Sequence, residues 1–285
     1  MTDFAAKGVS EPGLLEKHTI EVIYEDRDIL VIHKPAGIVV NNAETVKQPT
    51  VQSILAEYLG SPRELGLELV PADFDAQYGT PETQFSSRGG MVHRLDKDTS
   101  GVLIWAKNPG SMLHLLSQFR NRLVEKHYTC LVHGRLEPRQ GSINAPLARR
   151  TGNRKIFGVS AEGRPALTEY QVEEYYYLNP IQAGFVNKFS SSCDQGFSLV
   201  SCFPKTGRTH QIRAHLASRK HPIVGDQQYA GRKRAKLDLI WCPRQFLHAS
   251  ELRVQHPRTG TEMTFAVPLA NDLQVILKDA FIVQK

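Results

Sequence analysis

The apolar runs of this chain are short and follow no regular rhythm, and this limits its architecture more than any other feature. Residues 19–24 and 29–32 are β-rich runs joined by a polar link at 25–28, the pattern of a two-stranded hairpin. Lys34-Pro-Ala-Gly37 follows as a turn. Residues 51–59 have helical spacing and stop at Gly60. Residues 60–90 are rich in Gly, Pro, Ser and Gln, show no period, and read as a long loop or insertion. The continuous apolar run 102–105 predicts a buried strand. An amphipathic helix opens at Pro109, with Met112, Leu115, Leu116, Phe119 and Leu123 at helical spacing. Residues 127–132, 169–177 and 197–203 predict strands, the last two separated by an irregular stretch at 178–196. Thr209 is placed to cap a helix over 210–218. Strands return at 246–254 and 262–267, and a helix over 271–281 closes the chain. Strands and helices never settle into βαβ alternation. The expected class is α+β, with a mixed, mainly antiparallel sheet flanked by helices.

At 285 residues the chain suits one large domain or two ordinary ones. No apolar stretch approaches the roughly 18 residues that a membrane span needs. The N-terminus has no basic region followed by an apolar run, so no signal peptide is expected. Cys130, Cys193, Cys202 and Cys242 form no C-x-x-C pair. Free thiols in a reducing cytoplasm are expected. The formal net charge of +6 divides unevenly. Residues 1–100 hold 9 basic and 16 acidic groups, and residues 101–285 hold 26 and 13. The positive part contains three acid-free basic clusters: Arg149 to Lys155, Lys205 to Lys220, and Arg232 to Lys236. Such clusters suit a polyanion, because each phosphate contact releases condensed counterions.

The densest polar constellation is His93-Arg94-Leu95-Asp96-Lys97-Asp98-Thr99-Ser100-Gly101, between the aperiodic loop and the buried strand. Loops that end on rigid strands commonly hold catalytic side chains. The Asp96/Asp98 pair invites a two-carboxylate hydrolase, but an i, i+2 pair in extended chain points to opposite faces. A second constellation is Gly207-Arg208-Thr-His210-Gln211-Ile212-Arg213-Ala-His215-Leu216. It is neither a P-loop nor a complete β-lactamase signature. Ile212 and Leu216 form a buried helix edge beside Arg213. A guanidinium there needs a carboxylate partner elsewhere, unless it reaches solvent past Ala214 and Ala217.

His93-Arg-Leu-Asp96 followed by Thr99-Ser-Gly101 resembles the active-site motif of the RluA-type pseudouridine synthases. Asp28-Ile-Leu-Val-Ile-His-Lys34-Pro-Ala-Gly37, Lys126-His-Tyr128 and the Gly207–Leu216 block resemble further family motifs, in the same order. Pro222-Ile-Val-Gly-Asp226-x-x-Tyr229 and Leu247-His-Ala249 to Pro257 also fit.

The resemblance implies an RNA-modifying isomerase that breaks the uridine glycosidic bond, rotates the base and rejoins it through carbon 5. It implies no metal or organic cofactor. It implies a tail at 1–18, one catalytic domain over 19–285 with insertions near 60–90 and 179–196, and too short a leader for an S4-type domain. Asp96 matches the essential aspartate, acting as nucleophile or as base. Arg213 matches the arginine that pairs with it, and Tyr128 the tyrosine that contacts the target base. Arg94, Arg208, His210 and Ile212 are expected to contact substrate. The expected partner is structured ribosomal or transfer RNA, bound by a cytoplasmic monomer. An RNA-folding factor using the same surface without chemistry is the competing reading, and it rests on the basic clusters.

Overall fold

The computed structural model describes residues 13–154, 156–178 and 196–283. The expected second insertion, Cys193, Lys155 and most of the N-terminal tail lie outside the described residues. The chain divides into two compact units. Unit 1 is Met1–Lys97, Val102–Val124 and Val254–Phe265; unit 2 is Asp98–Gly101, Glu125–Arg253 and Ala266–Lys285.

In unit 1, β1 (Glu21–Glu25) and β2 (Ile29–Lys34) form the expected antiparallel hairpin. β2 neighbours β3 (Ser100–Ala106), which is buried along its whole length. Burial of both faces explains why β2 and β3 read as continuous apolar runs rather than alternating ones. The helix Val51–Leu59 is fixed by a reciprocal capping box between Thr50 and Ser53 and ends at Gly60. The helix Pro109–Arg120 is capped by Asn108 and stops before the expected Leu123, which is exposed. Arg122, at φ 60, turns the chain out of the helix.

Residues 60–90 are not simply a loop. They contain two short 3-10 turns, Leu67–Leu69 and Ala76–Tyr78, and a helix, Pro81–Arg88. That helix buries no residue, so it carries no apolar period. Its signals are local: Thr80 as N-cap, Pro81 in the first turn and Gly89 at the left-handed C-terminal position. The start of this segment is packed tightly. A Cβ on Gly110 would collide with the carbonyl oxygen of Gly66, so these two glycines allow Leu65 O to accept from the Gly110 N–H at 3.0 Å.

An ion cluster fastens the same segment. Asp28, 1% exposed, accepts from Arg258 Nε at 2.7 Å and Nη2 at 2.9 Å. It also accepts from Asn108 at 2.9 Å and Ser111 at 3.1 Å. Arg258 further pairs with Glu64 at 2.9 Å and with Glu68. Burial pushes the Asp28 carboxyl up, but the hydrogen bonds from Arg258, Asn108 and Ser111 and the Arg258 charge outweigh it and bring it down to about 2.

In unit 2 the strand order is β3 (its first residues), β10 (Leu247–Gln255), β4 (Glu125–His133), β9 (Phe197–Pro204), β8 (Leu167–Leu178) and β11 (Phe281–Val283). The β3–β10 pairing is parallel and the others antiparallel, as expected for a mixed sheet. β5 (Gln140–Asn144) adds to β8, and β6 (Leu147–Arg149) pairs with β7 (Phe157–Val159) as a separate hairpin. These strands are too short for a periodic signal. The helix Asn271–Ala280 ends earlier than expected, and Phe281–Val283 is a strand. Helices Gln211–Ser218 and Arg232–Asp238 complete the unit. Leu131, Val132, Val200, Leu216, Ile223 and Phe246 lie at the centre of its core. Cys130, Cys202 and Cys242 are buried free thiols.

The Asp28 carboxyl sets a prediction. A carboxyl depressed on folding stabilises the fold above the unfolded value and loses that contribution as pH falls through the folded one. The urea midpoint should therefore drop between about pH 4 and pH 2. At neutral pH, Arg258→Met strands a buried charge and should cost about 3–5 kcal/mol. Adding Asp28→Asn should recover part of that loss in the same urea titration, because the neutral side chain no longer needs a cation.

Candidate active site

In unit 1, Met91 bridges to Trp105, and His93 Nε2 accepts from the Ile104 N–H at 3.1 Å while its ring stacks on Phe119. Leu95 is buried. Between these anchors Arg94 is exposed and Asp96 half-buried. The carbonyl of Lys97 then accepts from Lys34 Nζ at 3.0 Å and from the Gly37 N–H at 2.9 Å. Lys34 is fully buried and also donates to the Pro35 carbonyl at 2.8 Å. A buried ammonium requires such acceptors. The Lys34-Pro-Ala-Gly37 turn thus clamps the residue that follows Asp96, a role that its turn-like sequence does not reveal.

In unit 2, Thr99 Oγ1 accepts from Gln245 at 2.7 Å. Ser100 Oγ accepts from Arg244 at 3.1 Å and lies 2.9 Å from His248 Nδ1. Arg244 also donates to the Asp98 carbonyl at 3.1 Å and pairs with Asp272. Gly101, at φ 125, sits where a Cβ would strike the backbone of Ala249. Ser100 and Gly101, the first residues of β3, are therefore the ones held against His248 and Ala249 of β10. The Asp98 side chain is exposed, which removes the support for a two-carboxylate hydrolase.

Tyr128 is half-buried on β4, paired with Cys202 on one side and Ala249 on the other. The helix Gln211–Ser218 shows how its motif divides labour. Ile212, 6% exposed, and Leu216 belong to the core; the Ile212 side chain therefore packs there instead of meeting substrate. Gln211 accepts from Thr206 at 2.6 Å and from the Arg208 N–H at 3.0 Å, and donates to Thr168 at 2.9 Å. His215 lies 2.9 Å from both Thr168 Oγ1 and the Ala145 carbonyl. Burial lowers its pKa, against the raising effect of the Ala145 bond, and so favours the neutral ring. The expected Thr209 cap is not formed. His210 is the N-cap residue, at φ 55 with no side-chain cap, and Gln211 meets the Arg208 N–H instead. The His210 ring packs edge-on to Phe157 and Tyr229, with Nδ1 3.2 Å from the Tyr229 hydroxyl. Arg208 is half-buried and donates to the Pro165 carbonyl at 3.2 Å.

Arg213 is buried, and the structure gives it a carboxylate that the sequence reading did not name for it. Its Nε and Nη2 donate to Asp226 at 2.7 and 3.0 Å, and Nη2 also reaches Gln228 at 2.9 Å. Its guanidinium stands 5.0 Å from the centre of the Tyr229 ring. Asp226 Oδ1 also accepts the N–H groups of Gln228 and Tyr229, at 3.0 and 3.2 Å. A bidentate fork fixes both position and plane of a guanidinium. The visible signal was the spacing Gly-Asp226-x-x-Tyr229, quoted above without a role.

Among the described residues, one group of side chains could ligate a metal: Asp26, Asp28 and His256. Asp28 already accepts from Arg258, Asn108 and Ser111. Asp26 accepts the N–H groups of Asp28 and Ile29 and pairs with His256 at 2.8 Å. Arg258 supplies the cation here. No helix among the described residues is long and apolar enough to cross a membrane.

Comparison with known proteins agrees with these motifs. Residues 28–218 match the family model described as RNA pseudouridylate synthase. The chain is 34% identical over 266 residues to an uncharacterized RNA pseudouridine synthase, YlyB, of Bacillus subtilis, covering 93% of this chain and 74% of that protein. It is also 34% identical over 266 residues to the ribosomal large subunit pseudouridine synthase D of Buchnera aphidicola, covering 90% and 72%. The fold is similar to that of human RNA pseudouridylate synthase domain containing 4, with a TM-score of 0.62 at 21% identity over 91% of this chain and 92% of that one. The motif blocks, the α+β fold and these relatives agree: the chain belongs to the RNA pseudouridylate synthase family and is an isomerase that converts uridine in RNA to pseudouridine.

Proposed function

We propose that the enzyme acts, as a monomer, on a uridine of large-subunit ribosomal RNA, with Asp96 as its catalytic carboxylate. The name of the Buchnera relative supports the substrate. The observation that carries the residue assignment is the clamp on Lys97, which holds the chain just after a half-buried Asp96. Such a hold suits a group that must meet one atom of a flipped nucleoside. Asp96 adds to the nucleoside or takes the ribose 2′ proton, and both routes need it ionised. Arg213, which matches the arginine of the family motif, is assigned to the same reaction as its charged partner group. Tyr128 offers an aromatic face to the extruded uracil, replacing the stacking that the base loses. Arg94, exposed beside Asp96, contacts the RNA backbone. Arg208 and His210, in the same motif as Arg213, contact the substrate.

Asp96→Asn should reduce pseudouridine formation in a large-subunit RNA transcript by at least about a hundredfold, with an unchanged melting temperature. Full activity in that variant would end the assignment.

Asp226 is a positioning residue in this scheme. Asp226→Asn should lower kcat with little change in KM, and Asp226→Glu should restore part of it. Equal losses in both variants, tracking only the melting temperature, would reduce Asp226 to a structural role.

A further inference from the structure

The helix Arg232–Asp238 carries a charge pattern that works against its own stability. Arg232 and Lys233 begin the helix, where the macrodipole is positive, and its first turn has no acidic residue. Arg232 and Lys236 are like charges one turn apart, a destabilising pair. Gly231, before the helix, supplies no side-chain cap. Arg232, Lys233 and Lys236 are all exposed, while Ala235 and Asp238 are buried. Among the described residues none of the three cations has an ion-pair partner. Their charge is left for something outside the chain.

The helix is nevertheless held firmly. The Asp238 carboxylate, 3% exposed, accepts from His133 Nε2 at 2.9 Å and from the Gly225 N–H at 3.0 Å. Gly225 precedes Asp226, the partner of Arg213. The anchor of the basic helix is therefore one residue from the carboxylate that orients that arginine. The other basic run meets the same point: His221 Nδ1 donates to the His133 carbonyl at 2.9 Å, directly after the exposed Arg219 and Lys220. Two clusters separate in sequence are thus tied to one residue at the end of β4.

We propose that Arg232, Lys233 and Lys236 form a docking surface for phosphates of the substrate RNA outside the target uridine. The proposal rests on the RNA-modifying role above but makes no use of Asp96. A set of unneutralised cations on an anchored helix fits a polyanionic backbone, and phosphate contacts fix register without reading sequence.

The test is RNA binding as a function of salt. An in vitro transcript of large-subunit ribosomal RNA is titrated with wild-type protein, Asp96→Asn, and a triple variant, Arg232→Gln, Lys233→Gln, Lys236→Gln, between about 50 and 200 mM salt. Each lost phosphate contact removes about 0.7–0.9 from the slope of log affinity against log salt, so the triple variant should be shallower by about 2 to 3. Its melting temperature should match or exceed that of the wild type, because the charges removed were unfavourable to the helix. In turnover the loss should fall on KM. Asp96→Asn should keep the wild-type slope, so the docking surface is judged even where no pseudouridine forms. Should the triple variant fail to fold, Lys233→Gln and Lys236→Gln singly should each remove about 0.7–0.9 from the slope. A wild-type slope in the variants overturns the proposal, as does loss of binding to an acidic protein with RNA binding intact.

Discussion

An ionised carboxylate as buried as Asp28 is tolerable only because Arg258 grips it with two hydrogen bonds and two neutral donors complete its shell. Much of unit 1 follows from that requirement. Asp28 sits where β1 turns into β2, and Asn108 and Ser111 lie at the start of the helix Pro109–Arg120. Arg258, on the segment after β10, then recruits Glu64 and Glu68. Together, Asp28 and Arg258 join four stretches distant in sequence. This geometry also explains why the segment 60–70 is ordered although its Leu65 and Leu67 stay exposed. Its fixation comes from charge and from the close approach of Gly66 and Gly110.

Unit 2 solves the same problem with Arg213 and Asp226. Arg213 lies on a helix whose Ile212 and Leu216 enter the core, so its guanidinium cannot avoid burial. Asp226 meets it from a turn, stabilised by the N–H groups of Gln228 and Tyr229. The Tyr229 hydroxyl in turn holds the backbone of Phe157 on β7. An arginine locked at this many points cannot follow a moving partner. It suits a task in which a positive charge must be in place before the substrate arrives.

The legible parts of the fold were those with a strong period or strong punctuation. The β1–β2 hairpin, the helix Val51–Leu59 and the central strands of unit 2 stood out for that reason. The helix Pro81–Arg88 did not, because it buries nothing, and β5 to β7 are too short to show alternation. The helix was carried on to Phe281, and the strand Phe281–Val283 was missed because three residues are too few to show alternation. In the candidate site, Asp96, Tyr128 and Arg213 could be picked out by motif. The partners could not: Asp226 lies 13 residues beyond Arg213, and Lys34 lies 63 residues before the carbonyl that it holds. Spacing in sequence carries no information on which buried charge a fold will bring to another.

The motifs themselves therefore have a different content from the one their density suggests. In Gly207–Leu216, Gln211 and His215 bolt the helix to β8 and its neighbours, Ile212 and Leu216 fill the core, and His210 takes a strained turn. In His93–Gly101, the His93 ring accepts from the Ile104 N–H, Thr99 accepts from Gln245, Ser100 pairs with His248, and Lys97 is the point that Lys34 grips. Most residues of both blocks are scaffold. That division has a physical logic. Isomerising a uridine within an RNA needs few functional groups, but needs them at fixed positions throughout. Holding a single polar side chain at a fixed position takes many more residues than the side chain itself, and those residues are what make each motif long.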